Sequence, residues 1–289
     1  MTTISFRRLQ HLMRYDLLVS WRFGATVFSV LVLLFATIQL LMFRVFRDGN
    51  FVPEVGSDKF LMERMYENMI TTYAYLACTV AIVAFVILAA TLQYGALTKQ
   101  ERLHMLLLPA RMNEKFLVRF GRSTVGMALV ILLAFCFSDL LRMMLASLLG
   151  LANVGFVAFK GLGVLWANGT EAFQSEPMGC VLVLSMITVL HAFYTMCGCF
   201  FRKHPVILTL VAHQVVSIIL WIAGLVLTLI LVEEPQVYIN YRGDDMDKYA
   251  NIIVYSLIAI SFLIAFAEYV IAYRLFTRQQ LLGRSLMNV

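Results

Sequence analysis

Six runs of 21 to 28 residues, at approximately 23–43, 70–97, 123–149, 178–201, 206–231 and 250–273, hold only three charged side chains between them: Asp139, Arg142 and Glu268. A hydrocarbon core about 30 Å thick needs about 20 apolar residues at the rise of an α-helix. Only a helix satisfies its own amides in lipid unless a barrel closes. Each run is too long for a strand and none alternates with period two, so the runs predict six transmembrane helices. Composition agrees. With 61% hydrophobic and 14% charged residues, against about 45–50% and about 25% in soluble proteins, the chain has apolar area that only a bilayer can take up. The expected fold class is all-α, with residues 1–289 forming a single six-span transmembrane domain.

The uncharged run Phe23 to Phe43 exceeds the core of a signal peptide, and no small-residue cleavage site follows it. It is therefore expected to stay as the first span.

Lysine and arginine bias sets the direction of the spans. With the N-terminus inside, 15 of the 23 basic residues fall on the cytoplasmic side and seven outside. Acids run the other way, three inside and twelve outside. The expected topology is N-in and C-in. Residues 143–166 are also apolar, but a seventh span there would move Arg202, Lys203 and the basic C-terminus outside. The third span is thus expected to end near residues 141–149, with the remainder lying on, or dipping into, the outer face.

Neither outer segment, 44–69 or 150–177, is long enough to build an independent core. The sequence contains no GxxxxGK[ST], HExxH or GxSxG, so no P-loop ATPase, zincin or nucleophile-elbow enzyme is expected. The five cysteines lie in or beside apolar runs. Cys197 and Cys199 read as packing residues rather than redox or metal ligands. No cofactor and no nucleic acid are expected.

Ser5 to Arg22 places Phe6, Leu9, Leu12, Met13 and Leu17 on one helical face and Arg7, Arg8, His11 and Arg14 on the other. That pattern predicts an interfacial amphipathic helix over 5–22 with Ser5 as N-cap, lying on the lipid bilayer. Asp16 falls on the apolar side, against the pattern. The helix could be a plain positive anchor or an elbow that transmits motion.

Thr98 to Arg122 is the largest cytoplasmic loop and carries six basic residues. Pro109 should break the helix continuing from the second span. Asn113 then reads as an N-cap with Glu114 at the positive end of a short helix. Phe116, Leu117 and Phe120 would form its apolar face. It could be a basic loop held at the lipid surface or a knob offered to a soluble partner.

The string Leu108-Pro109-Ala110, followed by Glu114-Lys115-Phe116-Leu117, resembles the first cytoplasmic loop of the membrane permeases of ABC exporters of the second type. That loop often reads leucine-proline-alanine-serine, two variable residues, then glutamate-lysine; Arg111 departs from it at the serine position. The span count, N-in topology and missing ATPase domain are similar to that family. The resemblance implies a permease subunit for efflux in the bacterial inner membrane, paired with a second copy or a paralogous permease. A separate ABC ATPase would dock on the loop through Pro109, Arg111, Glu114, Lys115, Phe116 and Arg119. Arg202 and Lys203, in the turn between the fourth and fifth spans, would be either a second contact or part of a plain tight turn begun by Pro205.

Charges inside spans cost about 2.5–3.5 kcal/mol on insertion scales and usually face a bundle interior. Asp139 and Arg142, three apart, share a helix face and should pair, as a structural bridge or as an outer gate. Glu268 is expected to pair with Arg274. His191 and His213 read as interhelical hydrogen-bonding residues, and Gly243 to Asp247 as a solvated loop. Three functional classes compete: an exporter permease, an intramembrane enzyme, and a non-transporting subunit that docks a cytosolic partner through the same loop. The apolar spans favour a hydrophobic cargo.

Overall fold

The computed structural model describes residues 6–48, 59–93, 107–108, 110–148, 156–201, 203–232 and 243–281. Eight α-helices account for nearly all of them: α1 (Phe6–Asp48), α2 (Lys59–Ala89), α3 (Met112–Gly121), α4 (Met127–Leu148), α5 (Val157–Ser175), α6 (Pro177–Phe200), α7 (Pro205–Val232) and α8 (Gly243–Leu281). A 3-10 turn (Ala90–Gln93) extends α2, and a π-helical segment (Arg122–Gly126) joins α3 to α4. Among the described residues, six stretches are long and apolar enough to cross a membrane: Phe6–Met42, Arg64–Gln93, Met112–Leu145, Pro177–Phe200, Pro205–Val226 and Asn251–Arg278. The chain is a multi-pass, all-α membrane protein. Ser5, Pro109 and Arg202 lie outside the described residues.

Many hydroxyls in these helices close on their own backbone. Thr37, Thr79, Thr195, Ser256 and Ser261 each donate to the carbonyl four residues earlier, at 2.7–2.9 Å. A polar side chain satisfied this way demands no partner in hydrocarbon. Pro177 and Pro205 occupy the first positions of α6 and α7, where a missing N–H breaks no helical bond.

The chain divides into two compact units, residues 1–85 with 117–176 and residues 86–116 with 177–289. In the first, α1 packs along α4, and α5 folds back on α4. Its core sets Phe35 edge-on to Phe135, with centroids 5.6 Å apart, and stacks Tyr73 on the same ring at 5.8 Å. Gln39 donates to the Tyr73 hydroxyl at 2.5 Å and to Ser138 Oγ at 3.4 Å. In the second unit, α6 packs along α8 and against the 3-10 turn and α7. Gly198 permits the closest approach: a Cβ there would lie 2.7 Å from Ala90 Cα. Val86, Ala89, Ala90 and Tyr194 form the buried cluster beside it.

Two expectations change. Residues 6–22 are not a separate helix, because α1 runs unbroken from Phe6 to Asp48, and no proline interrupts the segment. Its packing face overlaps the apolar side only in part: Leu12 and Asp16 of that side are buried together with Ser20, while Met13 and Leu17 are exposed, as is Trp21. Gly243 to Asp247 is the first turn of α8 rather than a loop, a position where acidic residues suit the helix dipole. The apolar stretch 143–166 divides between the end of α4, at Leu148, and the start of α5, at Val157.

Candidate functional site

The loop helix α3 begins one position after Arg111, so Arg111 and not Asn113 is the N-cap residue. Arg111 donates its backbone N–H to Glu114 Oε2 at 3.1 Å, and Lys115 N–H reaches the Arg111 carbonyl at 3.0 Å. Glu114 is thus the third helical residue reaching back to the cap, one half of a capping box. Asn113 serves differently: its Oδ1 accepts the Tyr273 hydroxyl of α8 at 2.5 Å. Phe116 meets two α8 rings edge-on, Tyr273 at 5.3 Å and Phe276 at 5.4 Å. All these contacts lie in the second unit.

The other half of α3 belongs to the first unit. Arg119 Nε lies 3.6 Å from Asp16 Oδ1, and Arg122 Nη1 lies 3.1 Å from Asp16 Oδ2. All three side chains are no more than 7% exposed. Arg119 and Arg122 share a face because they are three apart, and α1 supplies the carboxylate between them. Two guanidiniums thus flank one desolvated carboxylate and clamp it by charge, as ion pairs rather than hydrogen bonds. Sequence reasoning assigned Asp16 no role. Its signal was the misfit itself, an acid on the apolar side of a basic segment.

Directly after the clamp, the helix widens into its π-helical segment, where Met127 N–H bonds the Arg122 carbonyl five residues back. Thr124 Oγ1 caps the Phe120 carbonyl at 2.7 Å. One extra residue turns the following helix by about 100° relative to the preceding one, so α3 and α4 present different faces. Such π insertions recur at functional sites.

Of the expected docking residues, Glu114, Lys115 and Arg119 are buried at 0%, 2% and 5% exposure. Arg111 is exposed and Phe116 half-buried. Asn113 and Leu117 are exposed as well, and so is Leu107. The buried charges hold the helix, and the exposed residues form its outward surface.

In the α6–α7 turn, Phe201 N–H reaches the Cys197 carbonyl at 2.8 Å, and His204 takes the left-handed conformation at φ 49°. His204 stands at the N-cap position of α7, its carbonyl accepting the Leu208 N–H at 3.1 Å, and histidine is among the types that tolerate the left-handed region. Lys203 is exposed there.

Asp139 and Arg142 pair as their spacing predicts: Arg142 Nη2 and Nε reach Asp139 Oδ1 at 2.7 and 2.8 Å, with both side chains buried. The second carboxylate oxygen has a use the spacing does not reveal. Asp139 Oδ2 accepts the backbone N–H of Ala158 at 2.8 Å, in the first turn of α5, whose own N-cap residue Phe156 offers no side-chain cap. Glu268 makes no pair with Arg274. Six positions put the two about 120° apart around the helix, and Glu268 Oε2 has no hydrogen-bond partner among the described residues. His191 Nδ1 and the Tyr269 hydroxyl share a hydrogen bond at 2.8 Å, joining α6 to α8. His213 makes ring contacts, lying 5.6 Å from Tyr194 and 6.1 Å from Phe193.

No protein-family model, curated protein or solved structure matches the chain.

Proposed function

We propose that the chain is the membrane-spanning permease subunit of an ATP-driven exporter in the bacterial inner membrane, with both termini cytoplasmic. A separate ATPase docks on segment 98–122, and the membrane half is completed by a second copy or a paralogous permease. The observation that carries this reading is α3 itself. It is a ten-residue helix with a capped start, and in its second half Arg119 is buried beside Asp16 of α1. A ligand shifts a conformational equilibrium only by its differential affinity for the two states. A partner that closes on ATP therefore needs a stiff element to push, and a helix held by buried charge suits that task better than a loose basic loop.

Burial divides the work within the segment. Glu114, Lys115 and Arg119 set the shape of the knob, and Leu107, Arg111, Asn113 and Leu117 meet the ATPase. Lys203 gives a smaller second contact. ATP hydrolysis belongs to the partner, because the chain has no nucleotide-binding motif.

Affinity purification from membranes in mild detergent, with identification of partners and an ATPase assay, tests the reading. A stoichiometric P-loop ATPase is expected with the wild-type chain and is lost in Arg111→Glu/Leu117→Asp. Recovery of another cytosolic protein, with no ATPase, would replace the exporter by a non-transporting docking subunit.

A further inference from the structure

The first unit contains a cavity of about 290 Å³ between α2, α4 and α5. Its shape follows from side-chain size. Near the start of α5, Gly161 packs tightly, with room for a Cβ 3.5 Å from that of Ala74. Further along, α2 offers only Ala77, Cys78 and Ala81 toward Leu162 and Leu165 of α5. These short side chains leave the space between the two helices unfilled. Phe135 closes the end next to the polar core, where it stacks on Tyr73.

Every lining side chain is apolar apart from one thiol. An enclosed cavity of about 150 Å³ lined by such residues stays dry and takes up hydrocarbon, and this wall likewise offers water no hydrogen-bonding side chain apart from the thiol. Ordinary small-molecule pockets place a few polar groups to orient their ligand; this wall has none. Its side opens outward, since the lining residues Leu132 and Ile82 are themselves 47% and 36% exposed. Both lie within stretches apolar enough to cross the membrane, Met112–Leu145 and Arg64–Gln93. The opening therefore meets the hydrocarbon interior, where lipid chains are the abundant solute.

We infer that this cavity is a binding site for one acyl chain of a membrane phospholipid, which enters from the side and fills the space between α5 and α2. The inference is independent of whether the chain transports anything. Asp139 holds the start of α5 by its backbone, and the lipid chain completes the packing further along the same helix.

The test uses the full chain reconstituted in phosphatidylcholine vesicles that carry a diazirine midway along one acyl chain, followed by photolysis and peptide mapping. Labelling at Leu165 is expected to exceed that at Leu263, a 68% exposed residue on α8, by at least about fivefold. Ala81→Phe fills the cavity and should abolish that excess while leaving Leu263 unchanged. Should that variant fail to insert, Ala128→Leu fills the cavity from the α4 wall and carries the same expectation. Leu165 labelling no greater than that of Leu263, or unaffected by filling, would overturn the proposal and leave the groove as ordinary lipid-facing surface.

Discussion

The carboxylate of Asp139 accepts the backbone N–H of Ala158 at 2.8 Å while its other oxygen holds Arg142. One buried acid thereby neutralises a guanidinium in its own helix and caps the next helix in the chain.

Asp139→Asn removes the charge but keeps an oxygen that can still cap α5. Arg142 then loses its Asp139 partner, and breaking a buried pair costs about 3–5 kcal/mol. Asp139→Asn/Arg142→Met removes both charges and should recover at least half of that loss. Reversible unfolding in detergent gives the order wild type, double variant, single variant. A double variant no more stable than the single would show that the two do not act as a pair.

Asp16→Asn leaves Arg119 and Arg122 facing a neutral amide. The clamp should loosen, with a loss of about 3 kcal/mol on the same reasoning. Tryptic cleavage after Arg119 should accelerate several-fold, because that side chain is 6% exposed in the intact protein. Unchanged cleavage kinetics would mean that α3 is held without Asp16.

Gly198→Ala drives a methyl into the backbone of Ala90. Overpacking of this kind costs about 1–3 kcal/mol, and here the obstacle is main chain, which yields less than a side chain. Gly163→Ala is the control, since a Cβ there meets nothing within 4 Å. It should be neutral or stabilising by about 0.5–1 kcal/mol through helix propensity. Thermal unfolding of the two variants side by side separates close approach from a general intolerance of alanine.

Glu114→Gln retains an oxygen for the Arg111 N–H, whereas Glu114→Ala does not. The alanine variant should lose about 0.5–2 kcal/mol, the range for a missing cap, and the glutamine variant clearly less. If the exporter reading holds, ATPase recovery should fall in the same order. Equal losses in stability would place the role of Glu114 in its charge rather than in its cap.

Glu268→Gln should leave stability unchanged or raise it by up to about 2 kcal/mol. A carboxylate in hydrocarbon costs about 2.5–3.5 kcal/mol on insertion scales, and no ion pair offsets it among the described residues. A marked loss of stability would reveal a partner for this acid.

By itself the sequence determined the all-helical class, the number of spans and the pairing of Asp139 with Arg142. These are local or one-dimensional properties: the length of an uncharged run, and a spacing of three that puts two side chains on one helix face. The tertiary structure alone decided which way each helix turns. In water an apolar stripe marks the side facing the core; in lipid, tails and core are equally apolar, so that stripe loses its meaning. Hence the packing face of α1 runs along Leu12, Asp16 and Ser20 and leaves Met13 and Leu17 of the apolar side exposed. The same blindness hid the bond from Ala158 to Asp139 and the burial of Glu114, Lys115 and Arg119. It also allowed Glu268 to be assigned to Arg274 from closeness along the chain, when only the rotation and packing of α8 could decide what that carboxylate meets.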